Sequence, residues 1–446
     1  MKLTHYCNSF NSFTAGNSTI ACDPWVGEGE QTSWISYPIH KNGVNILDKI
    51  NPNFIYISHL HCDHLDIKTL SKYKKKNVKI IIKKYKFPKL KNTILNLGFK
   101  NILECLPWKK YKLNKDISIA IIPQIASNTS GLPVEIEYDL DTSIVIQSNI
   151  DKSVFYNGVD NPLSPKDYKK VKNFITKQFN KKISVTILQD AAASEYPQCF
   201  LNIDRKEEKK KVVNNILQML KKRISILKPE IYCSPTPGSI ISGKYSVLNK
   251  FLAHPELGEV KNVLRHNNCQ IFNISGGCSI IKENGKLIKK TTKKKFLKRK
   301  IINQYTNKKY FYAKDFKNIT TEQLDKKFYL ACENYKNKLS KIPIKTSWNL
   351  NFQIYKNLSL NASGKINNND SRLLKEYSID FNKTKKKNKN NYTTLKCHLD
   401  LKLFYGLLVK KYSNWNQPTS GTLILYERKP NKFDPNLLFS LNFLTV

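Results

Sequence analysis

Arginine, methionine and histidine are scarce in this 446-residue chain, which holds six, two and eight of them. The net charge of +42 therefore comes almost wholly from lysine, spread along the whole length. Arginine's planar fork is the better grip on phosphates and base edges. Its scarcity argues against a nucleic-acid partner, because lysine-rich surface is ordinarily just solvated. No stretch approaches the roughly 18 uncharged apolar residues of a membrane span, so none is expected. The opening MKLTHYCNSF has no apolar segment ahead of a small-residue cleavage site, which points to a cytoplasmic protein. The ten cysteines form no Cys-x-x-Cys pairs, and buried reduced thiols are the simplest account of them. One further absence matters more: no histidine occurs between His64 and His254.

What is present is an α/β pattern over residues 1–285. MKLTHYCNSF and NSTIACDPW read as two strands, and NFIYISHL as a buried strand followed by a helix at DIKTLSKYKKK. VKIIIKK, ISIAIIPQ, TSIVIQSN, KSVFYNGVD and ISVTILQDA are further apolar runs of strand length. Between Lys206 and Leu227, apolar residues recur at Val212, Val213, Ile216, Leu217, Leu220, Ile224 and Leu227, and the predicted helix stops before Pro229. Residues 286–300 read as a basic connector and 301–446 as a smaller α+β domain. That domain opens with a Thr-capped helix at TTEQLDKKFYLACENYKNKLSK. Alternating runs follow, among them TLKCHLDLKLFYGLLVKKY, with a hairpin excursion at NKTKKKNKNN. Its aromatics Phe404, Tyr405, Trp415 and Tyr426 read either as core or as the lining of an apolar pocket.

The chemistry concentrates in FIYISHLHCDHLD, Phe54 to Asp66. His59 and His61, two apart on extended backbone, project the same way. Asp63 and His64 stand where the next helix begins, on the same rim. Two imidazoles for one ion and a carboxylate–imidazole pair beside it suit a divalent metal, zinc first and iron or manganese as alternatives.

The spacing H-x-H-x-D-H at a strand end resembles the signature of the metallo-β-lactamase fold. The resemblance implies an αββα sandwich, two sheets with helices outside. ACDPW looks like that family's early strand, which gives Asp23 the task of orienting ligands from behind, and SVFYNGVDNPLS looks like the strand delivering the bridging carboxylate, Asp160. LQDAAASEYPQC and the C-terminal NWNQPTSGTLILYERKPNKFDPNLLFSLNFL are similar to the non-Rieske part of CMP-N-acetylneuraminate hydroxylases. Two histidines of the general pattern are missing. Where the first should fall, Gln124, Ser127 and Asn128 are the polar candidates. Ser239 stands in place of the second, in Pro235-Thr236-Pro237-Gly238-Ser239, and the spacing of His266 disfavours it as a substitute.

The expected set is thus His59, His61, Asp63, His64 and Asp160, with one tight ion on the His59–His61–Asp160 side. Asp63 or Asp190 would be the base. The resemblance and the charge together imply hydrolysis of an anionic sugar, nucleotide-sugar or phosphoester, in a sialic-acid or surface-glycan setting. The alternative is a binding subunit beside a separate Rieske redox partner. No Cys-x-x-His exists in this chain to hold such a cluster.

Overall fold

The computed structural model describes residues 1–39, 43–125, 141–161, 163–192, 194–235, 238–273, 276–283, 285–291, 298–342, 346, 348–380, 393–412 and 414–446. The chain begins β1 (Lys2–Cys7), β2 (Phe10–Ala15), β3 (Ser18–Cys22), β4 (Trp34–Ser36), α1 (Ile46–Ile50), β5 (Phe54–Tyr56), α2 (Ile67–Lys72), β6 (Lys79–Lys83), α3 (Lys89–Asn96), β7 (Ile102–Cys105), β8 (Lys110–Lys112) and β9 (Ile117–Pro123). It continues β10 (Thr142–Ser148), β11 (Val154–Asn157), α4 (Pro165–Phe179), β12 (Val185–Ile187), α5 (Arg205–Leu227), β13 (Ile231–Ser234), β14 (Ser239–Ile241), α6 (Leu257–Leu264), β15 (Gln270–Asn273), β16 (Ser279–Glu283) and β17 (Lys286–Lys290). Then come α7 (Lys298–Tyr305), α8 (Thr321–Lys341), β18 (Asn349–Tyr355), β19 (Leu373–Ile379), β20 (Thr394–Asp400), α9 (Leu401–Leu408), α10 (Asn416–Ser420), β21 (Leu425–Lys429) and α11 (Pro435–Ser440).

Eight strands form one sheet in the order β17-β16-β1-β2-β3-β5-β6-β7, and seven a second in the order β15-β13-β12-β11-β10-β9-β8. Strand β9 shows how alternation sets the layers. Ile117, Ile119 and Ile121 join the core between the sheets, while Ala120 and Ile122 join the core under the helices. Both faces are apolar because both are covered. Leu70, Leu90 and Ile94 of α2 and α3 close the outside of the first sheet over Ile55 and Ile80. Val171, Leu217, Leu220 and Val260 of α4, α5 and α6 close the outside of the second. The architecture is the expected αββα sandwich.

The predicted helix at 206–227 is α5. Asp204 caps it by accepting from the amides of Lys206 and Glu207, and Lys228 ends it in left-handed backbone at φ +50°. Two local expectations change. MKLTHYCNSF holds β1 and reaches only the first residue of a further strand, β2, because Asn8 adopts φ +43° and the chain reverses between them; asparagine tolerates that conformation better than most residues. TLKCHLDLKLFYGLLVKKY is strand then helix, since from Asp400 onward the buried residues Leu403, Phe404, Leu407 and Leu408 recur with helical spacing. The stretch 286–300 starts as β17, paired with β16, and enters α7 at Lys298. The NKTKKKNKNN excursion lies outside the described residues.

In the C-terminal part, β19-β18-β20-β21 form a four-stranded sheet. Its core is continuous with residues of the sandwich: Trp25, Trp34, Phe200, Ile241 and Tyr245 pack in one cluster with Phe352, Phe404, Trp415 and Tyr426. Backbone bonds cross the same seam, from the Leu201 amide to the Tyr426 carbonyl (2.7 Å) and from the Tyr426 amide to the Cys199 carbonyl (2.8 Å). Phe404, Trp415 and Tyr426 are wholly buried in this core, and Tyr405 packs edge-on against Phe316. The aromatics are therefore filling rather than pocket lining. All ten cysteines are free thiols. Among the described residues, no helix is long and apolar enough to cross a membrane.

His5 carries a pH prediction. Its imidazole is fully buried, with Nε2 2.6 Å from the Asn8 carbonyl, and burial lowers its pKa to about 4. The unfolded chain binds that proton near pH 6.5, so folding stability is complete above that pH and falls as pH drops from about 6.5 to 4. The expected loss is about 3 kcal/mol over that window, and His5→Gln should flatten it in urea melts.

Candidate metal centre

Strand β5 lies between β3 and β6, parallel to both. Its end delivers the loop bearing His59, His61, Asp63 and His64. Three hydrogen bonds brace that loop from behind. Thr142 Oγ1 and Tyr85 OH donate to the Ser58 carbonyl at 2.8 and 3.1 Å, and Ser9 Oγ donates to the Asp63 carbonyl at 2.7 Å. Asp66 then caps α2, accepting from the Lys68 amide.

The imidazoles cluster tightly. The ring centres of His59 and His64 are 4.2 Å apart, and those of His59 and His61 4.5 Å. His59 Nε2 lies 2.8 Å from His61 Nδ1 and 3.1 Å from Asp141 Oδ1. His64 Nε2 lies 3.2 Å from Asp160 Oδ2 and 3.6 Å from Asp63 Oδ2. Two groups of three donors result, His59 with His61 and Asp141, and His59 with His64 and Asp160; within each, the ligand atoms lie within 4.8 Å of one another.

Asp23 sits behind the cluster, fully buried at the end of β3. Its carboxylate accepts from the Ser58 amide (2.7 Å) and the Ser58 hydroxyl (2.8 Å) and meets His64 Nδ1 at 3.0 Å. Ser58 Oγ also lies 2.9 Å from His59 Nδ1. One carboxylate and one hydroxyl thus fix both rings, leaving their Nε2 atoms toward the carboxylates. Partners of this kind orient metal-binding histidines. Asp23→Ala should weaken metal affinity about 10–100-fold without unfolding the protein, measured by competition with a chelator.

Electrostatics separates the two sides. Burial, then the neighbouring imidazoles, holds His59 well below the ordinary histidine range, so it is neutral and its lone pair is available to a metal. For His64, burial pulls the other way, but the carboxylates of Asp63 and Asp160 and the hydrogen bonds to Asp160 and Asp23 hold it well above that range. Asp160 is lowered: burial opposes its charge, and the nearby His64 outweighs it.

Sequence reasoning missed Asp141, which joins His59 and His61 where Asp160 was expected; Asp160 groups instead with His59 and His64. Strands β9 and β10 are antiparallel with Pro123 opposite Thr142, so the end of one and the start of the other share a rim. Gln124 holds Asp141 there, trading 3.1 Å hydrogen bonds in both directions. The signal was the acidic residue opening the TSIVIQSN strand. Ser127 and Asn128 lie outside the described residues. His266 is exposed beside Arg265.

A cleft opens beside the carboxylate side of this cluster. Asp63 and Asp160 line it, with Asp190 and Ser239 also in its wall. Asp190 is buried and accepts from Tyr232 OH (2.7 Å) and Ser234 Oγ (2.6 Å), which ties its carboxylate into the end of β13. Among the described residues, no lysine or arginine lines the cleft.

No family model matches the chain. A putative Rieske 2Fe-2S iron-sulfur protein of Mycobacterium tuberculosis (strain CDC 1551 / Oshkosh) is 31% identical over 107 residues, 23% of this chain and 20% of that protein. A putative Rieske 2Fe-2S iron-sulfur protein of Mycolicibacterium smegmatis is 32% identical over 108 residues, with the same shares. The chain thus spans about a fifth of the length of the curated relatives it matches. Among solved structures, an isothiocyanate hydrolase from Delia radicum gut bacteria matches at TM-score 0.43 and 14% identity, over 63% of this chain and 99% of that one. Igni18, a metallo hydrolase from Ignicoccus hospitalis, matches at 0.42 and 15%, over 66% and 99%. CmlA, a diiron beta-hydroxylase from Streptomyces venezuelae, matches at 0.43 and 14%, over 62% and 53%. The order of strands and helices, rather than these loose likenesses, defines the sandwich.

Proposed function

We propose that the chain is a metal-dependent hydrolase acting on an anionic sugar, nucleotide-sugar or phosphoester. The observation that carries this reading is that His59 stands in two donor groups, with His61 and Asp141 and with His64 and Asp160, and that Asp160 and the neighbouring Asp63 line a cleft. Each group, imidazole nitrogens and a carboxylate oxygen within 4.8 Å of one another, fits a divalent ion. Zinc suits it, and iron or manganese suit its carboxylates equally well. When bound, such an ion supplies Lewis-acid polarisation and acidifies water.

The chain's own residues do the rest. His59, neutral and fixed through Ser58, and His61 face Asp141 and bind. Asp23 keeps the His64 ring turned toward Asp160. Asp63, in the cleft wall beside His64, accepts the proton of the attacking water, a role worth about 10²–10⁴ in rate. Asp190, tied to two hydroxyls, positions the far wall rather than moving protons. With no cation in the described lining, the substrate's negative charge is met at the metal end.

The test is turnover of bis(p-nitrophenyl) phosphate. The metal-loaded protein should hydrolyse it, removal of metal should stop it, and Asp63→Asn should cut kcat by about 10²–10⁴ with metal retained. Absence of turnover in metal-loaded protein would sink the reading. One observation favours a second reading, a subunit working with a separate Rieske partner: the matched 107 residues belong to proteins named for that cluster. The cluster would have to come from outside these 446 residues, which contain no Cys-x-x-His. Oxygen consumption driven by a Rieske donor, with no phosphodiester turnover, would select it.

A further inference from the structure

Two of the six arginines in this chain are buried, Arg205 and Arg428, each 6% exposed. Both stand against the segment that brings Asp190, Ser194 and Gln198 to one wall of the cleft. A buried guanidinium needs partners for its donors, so its contacts show what it holds together.

Arg205 is the first residue of α5, and its fork joins two distant parts of the chain. Nη1 donates to the Gln198 carbonyl at 3.3 Å, and Nη2 donates to the Gly364 carbonyl at 2.8 Å. Gln198 in turn donates from Nε2 to the Ser194 carbonyl, and both residues line the cleft. Gly364 lies between β18 and β19, on the C-terminal side of the seam. The guanidinium carbon of Arg205 also sits 4.2 Å from the ring centre of Phe251. Phe251 precedes Leu252, which lines the cleft with His254. The Ala192 amide joins the two strips by donating to the Ala253 carbonyl at 3.2 Å. One side chain therefore bears on both strips of the same wall.

The turn is shaped to receive it. Gly364 has φ +81°, a conformation that favours glycine. A Cβ there would stand 3.0 Å from the Phe251 ring and 3.2 Å from Arg205 Nη2, tighter than ordinary contact. Lys250 Nζ adds a bond to the Ala362 carbonyl at 2.6 Å. Arg428, on β21, secures the far end of the wall segment. Its guanidinium lies 4.6 Å from the ring centre of Phe200 and 5.6 Å from that of Tyr196. Asn202 exchanges two hydrogen bonds with the Arg428 backbone, at 2.9 and 3.1 Å. The loop of His59 has braces of its own on other elements, Ser9, Tyr85 and Thr142.

We propose that Arg205 is a positioning residue for substrate. It clamps the Gln198 wall to the Gly364 turn, so the C-terminal part sets the width of the cleft and leaves metal binding to the His59 loop. This rests on the cleft being the substrate site of the hydrolase proposed above.

The experiment compares Arg205→Met and Gly364→Ala with wild type in the full metal-loaded chain. The first removes the fork, and the second crowds it from the C-terminal side; either suffices if the other does not fold. Backbone hydrogen exchange reads the clamp without any substrate. The amides of Ala192, Cys199 and Leu201 are each hydrogen-bonded in the wall segment. They should exchange at least about tenfold faster in the variants, the scale of one lost hydrogen bond to a charged group. The Ile57 amide, bonded to the Ile81 carbonyl in the first sheet, should stay within about twofold. Metal content should match wild type. With bis(p-nitrophenyl) phosphate, KM should rise at least about fivefold while kcat falls less than about twofold, the pattern of lost binding rather than lost chemistry. Wild type without phosphodiester turnover ends the hydrolase reading, and exchange alone then judges the clamp. Wall amides that do not respond, equal acceleration at Ile57, loss of metal, or a fall in kcat with KM unchanged would overturn the positioning role.

Discussion

His59→Ala should strip the protein of essentially all bound metal. Its Nε2 belongs to both donor groups, one with His61 and Asp141 and one with His64 and Asp160. Its Nδ1 is occupied by Ser58 Oγ at 2.9 Å, so only Nε2 is free to ligate. One nitrogen binds one ion, and the two groups therefore compete for His59. The His61–Asp141 side has two neutral-capable imidazoles and a carboxylate; the other side is left with His64, already drawn to Asp160 and Asp63. The expected metal content after desalting is about one equivalent in wild type, under about a tenth in His59→Ala and His61→Ala, and above about half in His64→Ala. Equal loss in all three variants would show that both positions fill together. Retention in His59→Ala would remove the shared ligand from the account.

Phe404→Ala should be the most damaging single truncation in the C-terminal part, costing about 3–5 kcal/mol of unfolding free energy. Phe404 is fully buried on α9 and lies within ring-contact distance of Phe328, Phe352, Tyr377 and Trp415. No neighbour can collapse into the space without breaking another ring contact. Because the same core includes Trp25, Trp34 and Phe200, the loss should be felt across the whole chain as one cooperative transition. Urea unfolding followed by tryptophan fluorescence and by far-UV circular dichroism checks this. A cost under about 1 kcal/mol, or two separated transitions with the first unaffected, would mean that the sandwich and the C-terminal sheet do not share their stability.

The sandwich was legible because its strands are unusually apolar and its helices periodic: ISIAIIPQ and the 206–227 helix announce themselves. The loop with His59, His61, Asp63 and His64 was legible for a different reason, four ligand-capable residues within six positions. What stayed hidden depends on pairing across the chain. Asp141 reaches the centre only because β9 and β10 run antiparallel, and a lone acidic residue before a strand looks like any turn. The direction of α9 was hidden because LDLKLFYGLL fits strand and helix periods almost equally until Asp400 and its tertiary partners decide. Lys244 and Tyr312 hold that carboxylate at 2.5 and 2.6 Å, and both lie far away in sequence.

The most direct test of the centre is an anomalous-scattering map from crystals of the metal-loaded protein, recorded on either side of the metal's absorption edge. One strong peak is expected within ligand distance, about 2.0–2.3 Å, of His59 Nε2, His61 and a carboxylate oxygen of Asp141, with a weaker or absent second peak between His64 and Asp160. Two peaks of equal strength, or one placed away from Asp141, would contradict it.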